Sequence, residues 1–96
     1  MSDPRVNKLR YRAWRRGILE ADLILGPFAD ACLDDLDAAA LDEFDILLQQ
    51  PDPDLYAWII GQAETPADFD NATMNQIKAF RISAHATREA MSARER

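Results

Sequence analysis

Apolar residues recur along this chain at intervals of three and four, and no run of β-branched residues alternates in the two-residue rhythm of a strand. The pattern predicts an all-α fold, a small bundle of about five short helices. A first helix is expected from about Arg5 to Trp14, with Val6, Leu9 and Ala13 on one face and Arg5, Lys8, Arg12 and Arg15 along another. A helix this short is marginal alone and must be held by packing. Gly17 then permits a turn that a Cβ would obstruct. The next segment, "ILEADLILGPFADACL", places Leu19, Leu23, Ile24, Leu25 and Phe28 on more than one face, as expected of the central helix of a bundle. Proline inside a helix removes a donor and crowds the preceding turn, so Gly26-Pro27 predicts a kink or two abutting helices.

Asp37 is placed to cap a third helix over residues 38–50, with Leu41, Phe44, Leu47 and Leu48 inward, Asp42, Glu43 and Asp45 outward, and Pro51 as terminator. In "DPDLYAWII", Asp52 suits the N-cap of a fourth helix, Pro53 its first position and Asp54 the positive end of its dipole. Leu55, Trp58 and Ile59 form its expected buried stripe, and Gly61 its stop. The connection "AETPADFDN" leads to a fifth helix, about residues 71–91, packing through Met74, Ile77, Phe80 and Ala84 before a charged tail at 91–96. The whole, residues 1–96, reads as one domain with its core over about 5–90.

The 96 residues leave room for one modest core but not for a deep substrate cavity as well. The longest apolar runs are far too short to span a bilayer, so no membrane insertion is expected. Cys32 is the only cysteine, which excludes an internal disulfide, favours a reducing compartment and suits a small buried hydrophobe. The arginine-rich N-terminus raises the question of a mitochondrial presequence, but Asp3-Pro4 counts against it, and the expectation is a complete, cytoplasmic chain. The net charge of −6 hides a polarity: residues 1–16 carry six basic groups and one acid, while residues 17–71 carry fourteen acids and no lysine or arginine. Such a body is too acidic for general nucleic-acid binding. Taken alone, the charge most simply keeps the domain in solution. A basic element beside an acidic body also suits a protein partner that docks in one orientation.

Enzyme chemistry finds little inventory. His85 is the only histidine, read as solvated, so neither an ordinary zinc set nor a nucleophile–histidine arrangement is available. Asp52 and Asp54 could ligate magnesium, but capping explains both. Gly17, Gly26 and Gly61 lie too far apart for a phosphate-binding loop. What stands out is "RRGILE", residues 15–20. If Gly17 caps the second helix, Glu20 falls at its third position and can reach back to the cap N–H, while Arg16 and Glu20, four apart, can pair. Capping accounts for Glu20 alone, but less well for two arginines, a glycine and an acid gathered beside a basic helix. Cap and contact surface stay open at this point.

Arg16-Gly17-x-x-Glu20 before an apolar helix, with "DPDLYAWI" downstream, resembles the SdhE family of succinate dehydrogenase assembly factors, small helical proteins also called flavinators. The likeness covers roughly residues 5–90. It implies an assembly factor and not an enzyme, one that binds the flavoprotein subunit of succinate dehydrogenase, and in some bacteria fumarate reductase, and promotes covalent attachment of FAD to a histidine of that partner. The chain itself would hold no FAD stably and no metal, and would act as a monomer. Carried over residue by residue, Arg16, Gly17 and Glu20 form the partner surface, with Arg15 beside them. Asp52, Tyr56 and Trp58 match the second motif. An antitoxin-like module, neutralising its partner through the acidic third helix, is the alternative.

Overall fold

A computed structural model describes residues 3–94 of the chain, with side chains through residue 83. They contain five α-helices: α1 Pro4–Ala13, α2 Leu19–Cys32, α3 Ala38–Leu48, α4 Asp52–Ile60 and α5 Ala72–Arg94. Single 3-10 turns at Leu33–Asp35 and Ala67–Phe69 link them. The all-α expectation is met, and one apolar cluster draws on every helix: Val6 and Leu9 from α1, Leu25 and Phe28 from α2, Phe44 and Leu47 from α3, Leu55 and Ile59 from α4, Met74 and Ile77 from α5. Phe28 is central to it, with the Phe44 and Phe80 rings each 5.7 Å away.

α1 opens on Asp3, whose carboxylate accepts from the Arg5 N–H at 2.9 Å, with Pro4 at the first helical position, where a missing donor is harmless. Its apolar face is buried as expected. Its basic residues carry a surprise, because three of the four within α1 are paired inside the molecule. Arg5 binds Asp42, Arg12 binds Asp45 at 2.7 Å, and Arg10 reaches Asp30 at 3.2 Å and Asp34 at 3.3 Å. The acids of α3 are therefore partners of α1 rather than free solvating charge. Glu43 also turns to a neighbour and accepts from the buried Thr73 hydroxyl at 2.7 Å, fixing the start of α5 on α3.

Of the two outcomes expected at Gly26-Pro27, the pair of abutting helices is corrected: α2 runs through as one helix with Pro27 inside it. Pro27 leaves unpaired only the carbonyl four residues back, at Leu23, which lies on the exposed side where water can take it. Gly26 has a different purpose. The Trp14 indole lies against it so closely that a Cβ there would stand 2.3 Å from the ring, and the indole N–H donates to Asp30 at 3.2 Å. Nor is α2 buried all round, since Leu19 and Leu23 are exposed.

α3 is capped by Asp37, which accepts from the Ala40 N–H at 2.8 Å, and its four expected apolar residues are all buried. It stops at Leu48, two residues short of the expected end, in tight turns closed by the Gln49 and Gln50 N–H groups. Pro51, not Asp52, is the N-cap of α4, so Asp52 becomes its first residue and Pro53 its second. Gly61 ends α4 in the left-handed region at φ 84°, as expected. Trp58 is only half-buried, stacked on Phe69 at 5.2 Å, while Leu55 and Ile59 fill the core. α5 starts beside Asn71, whose side chain accepts from the Met74 N–H, and continues to Arg94, past the expected end near 91. The expected packing of Ala84 and exposure of His85 concern side chains outside the described residues, as does the last part of the 91–96 tail.

Candidate functional site: the corner between α1 and α2

The chain turns between α1 and α2 over residues 14–18, and Gly17 holds φ 98°, a conformation that L side chains rarely adopt. Glycine there is required by the backbone itself. The space is also limited, since a Cβ would sit 3.4 Å from an Asp52 carboxylate oxygen. The expected capping arrangement is not present. Ile18, not Gly17, is the N-cap of α2, and it makes no side-chain cap bond. Glu20 occupies the second helical position, out of register for a reciprocal box.

Arg16 departs most from expectation. Its side chain is only 9% exposed and points into the molecule, away from Glu20. One guanidinium nitrogen donates to the Leu48 carbonyl; the other donates to the Gln50 carbonyl at 2.7 Å and meets the Asp52 carboxylate at 2.7 Å. Leu48 ends α3 and Asp52 begins α4. The cation thus satisfies a C-terminal carbonyl of one helix while paired with the acid at the positive end of the next, favourable to both helix dipoles. The Arg16 N–H donates to Asp22 of α2 at 2.7 Å. Asp22, absent from the expected set, therefore ties the turn to α2 as Asp52 ties it to α4. No spacing rule marks that contact across six residues.

With Arg16 turned inward, other side chains form the outer face of the corner. Glu20 is exposed and, among the described residues, takes no hydrogen bond or ion pair. Leu19 and Leu23, 67% and 55% exposed, lie one turn apart, and Glu20 is three residues from Leu23. Further along the same stripe is Gly26, covered by Trp14. Tyr11 is exposed at the end of α1 with the Arg15 guanidinium 4.4 Å over its ring. Tyr11, Trp14, Arg15, Leu19, Glu20 and Leu23 are the exposed side chains at and beside this corner, mostly apolar, with one stacked cation and one acid unpaired among the described residues. Exposed leucines at helical spacing beside aromatics and arginine are the composition of a protein contact.

Of the second motif, Asp52 meets Arg16 at this corner; Tyr56, half-buried, follows Asp52 by about one turn on the same face of α4, and Trp58 lies a further half-turn on, stacked on Phe69. Trp58 borders an open groove of ≈ 560 Å³ with Lys78 and Arg81 on one side and Glu64 and Asp70 among its other walls. Acid and base together give that groove no net positive field for a dinucleotide pyrophosphate. Among the described residues no set of His, Cys, Asp and Glu is grouped to hold a metal, and no helix is long and apolar enough to cross a membrane. Burial, with Asp35 adding to it, raises the pKa of the Cys32 thiol, as suits an inert half-buried cysteine.

Comparison with known proteins gives the corner a context. The family described as "Flavinator of succinate dehydrogenase" matches residues 7–81. The mitochondrial succinate dehydrogenase assembly factor 2 of Dictyostelium discoideum is 41% identical over 71 residues, 74% of this chain and 50% of that protein. The FAD assembly factor SdhE of Vibrio cholerae is 47% identical over 71 residues, covering 74% of this chain and 83% of the relative. The mitochondrial assembly factor 2 of Culex quinquefasciatus is 38% identical over 74 residues, 75% of this chain and 46% of its own length. The chain thus spans about half the length of these mitochondrial relatives and most of the Vibrio protein.

Proposed function

The chain belongs to the family of flavinators of succinate dehydrogenase, and from that membership we propose that it is an assembly factor that binds the flavoprotein subunit of succinate dehydrogenase and promotes covalent attachment of FAD to a histidine of that subunit. The flavin and the acceptor imidazole both belong to the client. The helper holds no FAD stably and supplies no reacting group; it acts in the cytoplasm, as a monomer, on the newly made subunit. Fumarate reductase, whose flavoprotein poses the same attachment problem, is a second client.

The observation that carries the reading is the outer face of the α1–α2 corner, where Glu20, exposed beside Leu19 and Leu23, takes no hydrogen bond or ion pair among the described residues. Buried in a complex, the leucines and Trp14 give contact area, while Glu20 selects a donor or cation on the client. Attachment needs the imidazole held near the flavin, and displacement of a reacting pair by about 1 Å can cost about a hundredfold in rate. A helper that binds the productive arrangement more tightly than the others raises its population, with no chemistry of its own. The antitoxin-like alternative asks for free acids on α3, but Asp42 and Asp45 pair with Arg5 and Arg12, and Glu43 with Thr73.

The test is reconstitution. Apo-flavoprotein is incubated with FAD, with and without this protein, then denatured, and the fluorescence retained on the polypeptide is measured. Retained flavin rises when the helper is present, and Glu20→Ala raises the helper concentration needed for half the effect by about tenfold. Equal retained fluorescence with and without the helper overturns the reading. The same assay with the fumarate reductase flavoprotein decides the second client.

A further inference from the structure

We propose that Asp52 is a positioning residue for flavin attachment: acting through Arg16, it sets the direction in which the α1–α2 corner presents Glu20 to the client. The inference rests on the reading above and goes beyond it by giving the second sequence motif a part in the first. Arg-Gly-x-x-Glu and Asp-Pro-Asp-Leu-Tyr-Ala-Trp lie some thirty residues apart in the chain, yet they meet at one ion pair. Asp52 is 18% exposed, Arg16 is 9% exposed, and 2.7 Å separates the charged atoms.

The same aspartate bounds Gly17 from the side, since its other carboxylate oxygen is the atom that a Cβ at position 17 would meet at 3.4 Å. One carboxylate therefore fixes the residue before the glycine and limits the glycine itself. Asp22 fixes the Arg16 backbone from the opposite side at 2.7 Å. Glu20 lies three residues after Gly17 and has no contact of its own to hold it among the described residues. Its placement follows from the turn, and the turn is set between Asp22 and Asp52.

A capping role for Asp52 would predict a different pattern. The N-cap of α4 is Pro51, and the Asp52 carboxylate makes no bond to an N–H of its own helix among the described residues. Asp54, exposed in the same first turn, supplies a second acid to the same dipole and makes no hydrogen bond or ion pair with Arg16 or Gly17 among the described residues. It is the internal control.

The experiment titrates the helper into apo-flavoprotein with excess FAD and fits the plateau rate and half-saturating concentration for the wild type, Asp52→Asn, Glu20→Ala, their double variant, and Asp54→Asn. Asp52→Asn keeps the shape and the Arg16 bonds to Leu48 and Gln50 but loses the charge. With helix content by circular dichroism unchanged, it raises the half-saturating concentration by about tenfold and leaves the plateau within about twofold, since it weakens an oriented contact and not the chemistry. Added to Glu20→Ala it raises the value by no more than about twofold further, because residues acting through one contact do not add. Asp54→Asn follows the wild-type curve.

A half-saturating concentration unchanged by Asp52→Asn, a fall in the plateau alone, an equal effect from Asp54→Asn, or independent multiplication with Glu20→Ala each overturns the inference while leaving the proposed function standing. A Glu20→Ala curve identical to wild type overturns the inference and removes Glu20 from the contact, whereas a wild type that leaves retained flavin unchanged overturns the proposed function itself. Should Asp52→Asn fail to fold, Asp22→Ala removes the acceptor of the Arg16 N–H and loosens the same turn without touching the α3–α4 corner, and carries the same expected curve and the same refutation.

Discussion

Gly17 shows how much one residue can decide here. At φ 98° any L side chain costs about 1–2 kcal/mol of backbone strain. Gly17→Ala is therefore expected to lower stability by about that amount in urea unfolding, with helix content kept at zero denaturant. Gly17→Arg adds a second cation beside the Asp52 carboxylate, where it competes with Arg16. It is expected to abolish help in flavin attachment while circular dichroism still reports the helices, and retained covalent flavin with that variant would remove the corner from the mechanism. The sequence makes this glycine legible as a turn, because glycine between two helical patterns has few other uses. It does not make Arg16 legible. Arginine at a turn is expected in water, and its inward course depends on the Leu48 and Gln50 carbonyls and the Asp52 carboxylate, brought there only by the folding of α3 against α4. Of the two readings the sequence leaves open for Glu20, cap and contact surface, one residue of register removes the capping box and leaves the acid exposed.

The helices themselves were largely readable, since three- and four-residue spacing and the caps at Asp37 and Gly61 are local properties of the chain. What escaped was tertiary. Gly26 sits in mid-helix because Trp14 lies on it, and nothing near position 26 in sequence names the tryptophan. Gly26→Ala improves helix propensity by about 1 kcal/mol but overpacks the contact by about 1–3 kcal/mol, so the indole is expected to leave α2. In a Trp58→Phe background the Trp14 emission then shifts to the red, and an unshifted spectrum would show that the ring tolerates the methyl. The docking of α1 on α3 has its own signature in acid. The hydrogen bond from Arg12 holds the Asp45 carboxyl below the usual carboxylate range. A lowered folded pKa contributes stability that is complete above the unfolded value, near 4, and is lost as pH falls through the lower folded value. For a pair this exposed the contribution is about 1 kcal/mol or less. Asp45→Asn should therefore lower stability at pH 7 and flatten its dependence on pH below about 4. Parallel wild-type and variant curves through that range would show that the pair contributes nothing.

Across the whole molecule, the charge polarity of the sequence changes meaning once the chain is folded. A basic N-terminus followed by an acidic body reads as an oriented surface for a partner, but Arg5, Arg10, Arg12 and Arg16 each meet an aspartate of the same chain. The polarity fastens α1 and the corner to the rest of the bundle. The outer face keeps one exposed acid, Glu20, and the Arg15 cation stacked on Tyr11, among exposed leucines and aromatics. Among the described residues, Asp54 in the first turn of α4 is one further acid without an ion pair near the corner, while Glu64, Asp68 and Asp70 follow the C-terminal end of α4, whose N-terminal end meets the corner. Nine residues of helix separate those ends by about 13 Å, beyond the screening length of about 8 Å at physiological ionic strength. With Glu20 and Asp54 set against the Arg15 cation, the corner carries only a small net charge, so long-range steering, which can change association rates by about 10- to 1,000-fold and collapses as salt rises, has little to act on at this face. Association with the client is therefore expected to vary by no more than about threefold between about 0.05 and 0.5 M salt, measured as the half-saturating helper concentration in the attachment assay. Apolar contact survives screening, and a single ion pair formed by Glu20 in a desolvated interface is screened only weakly. A loss of affinity of about a hundredfold over that range would mean that the α1 arginines leave their aspartates to meet the client, and α1 would then be the docking element in place of the corner.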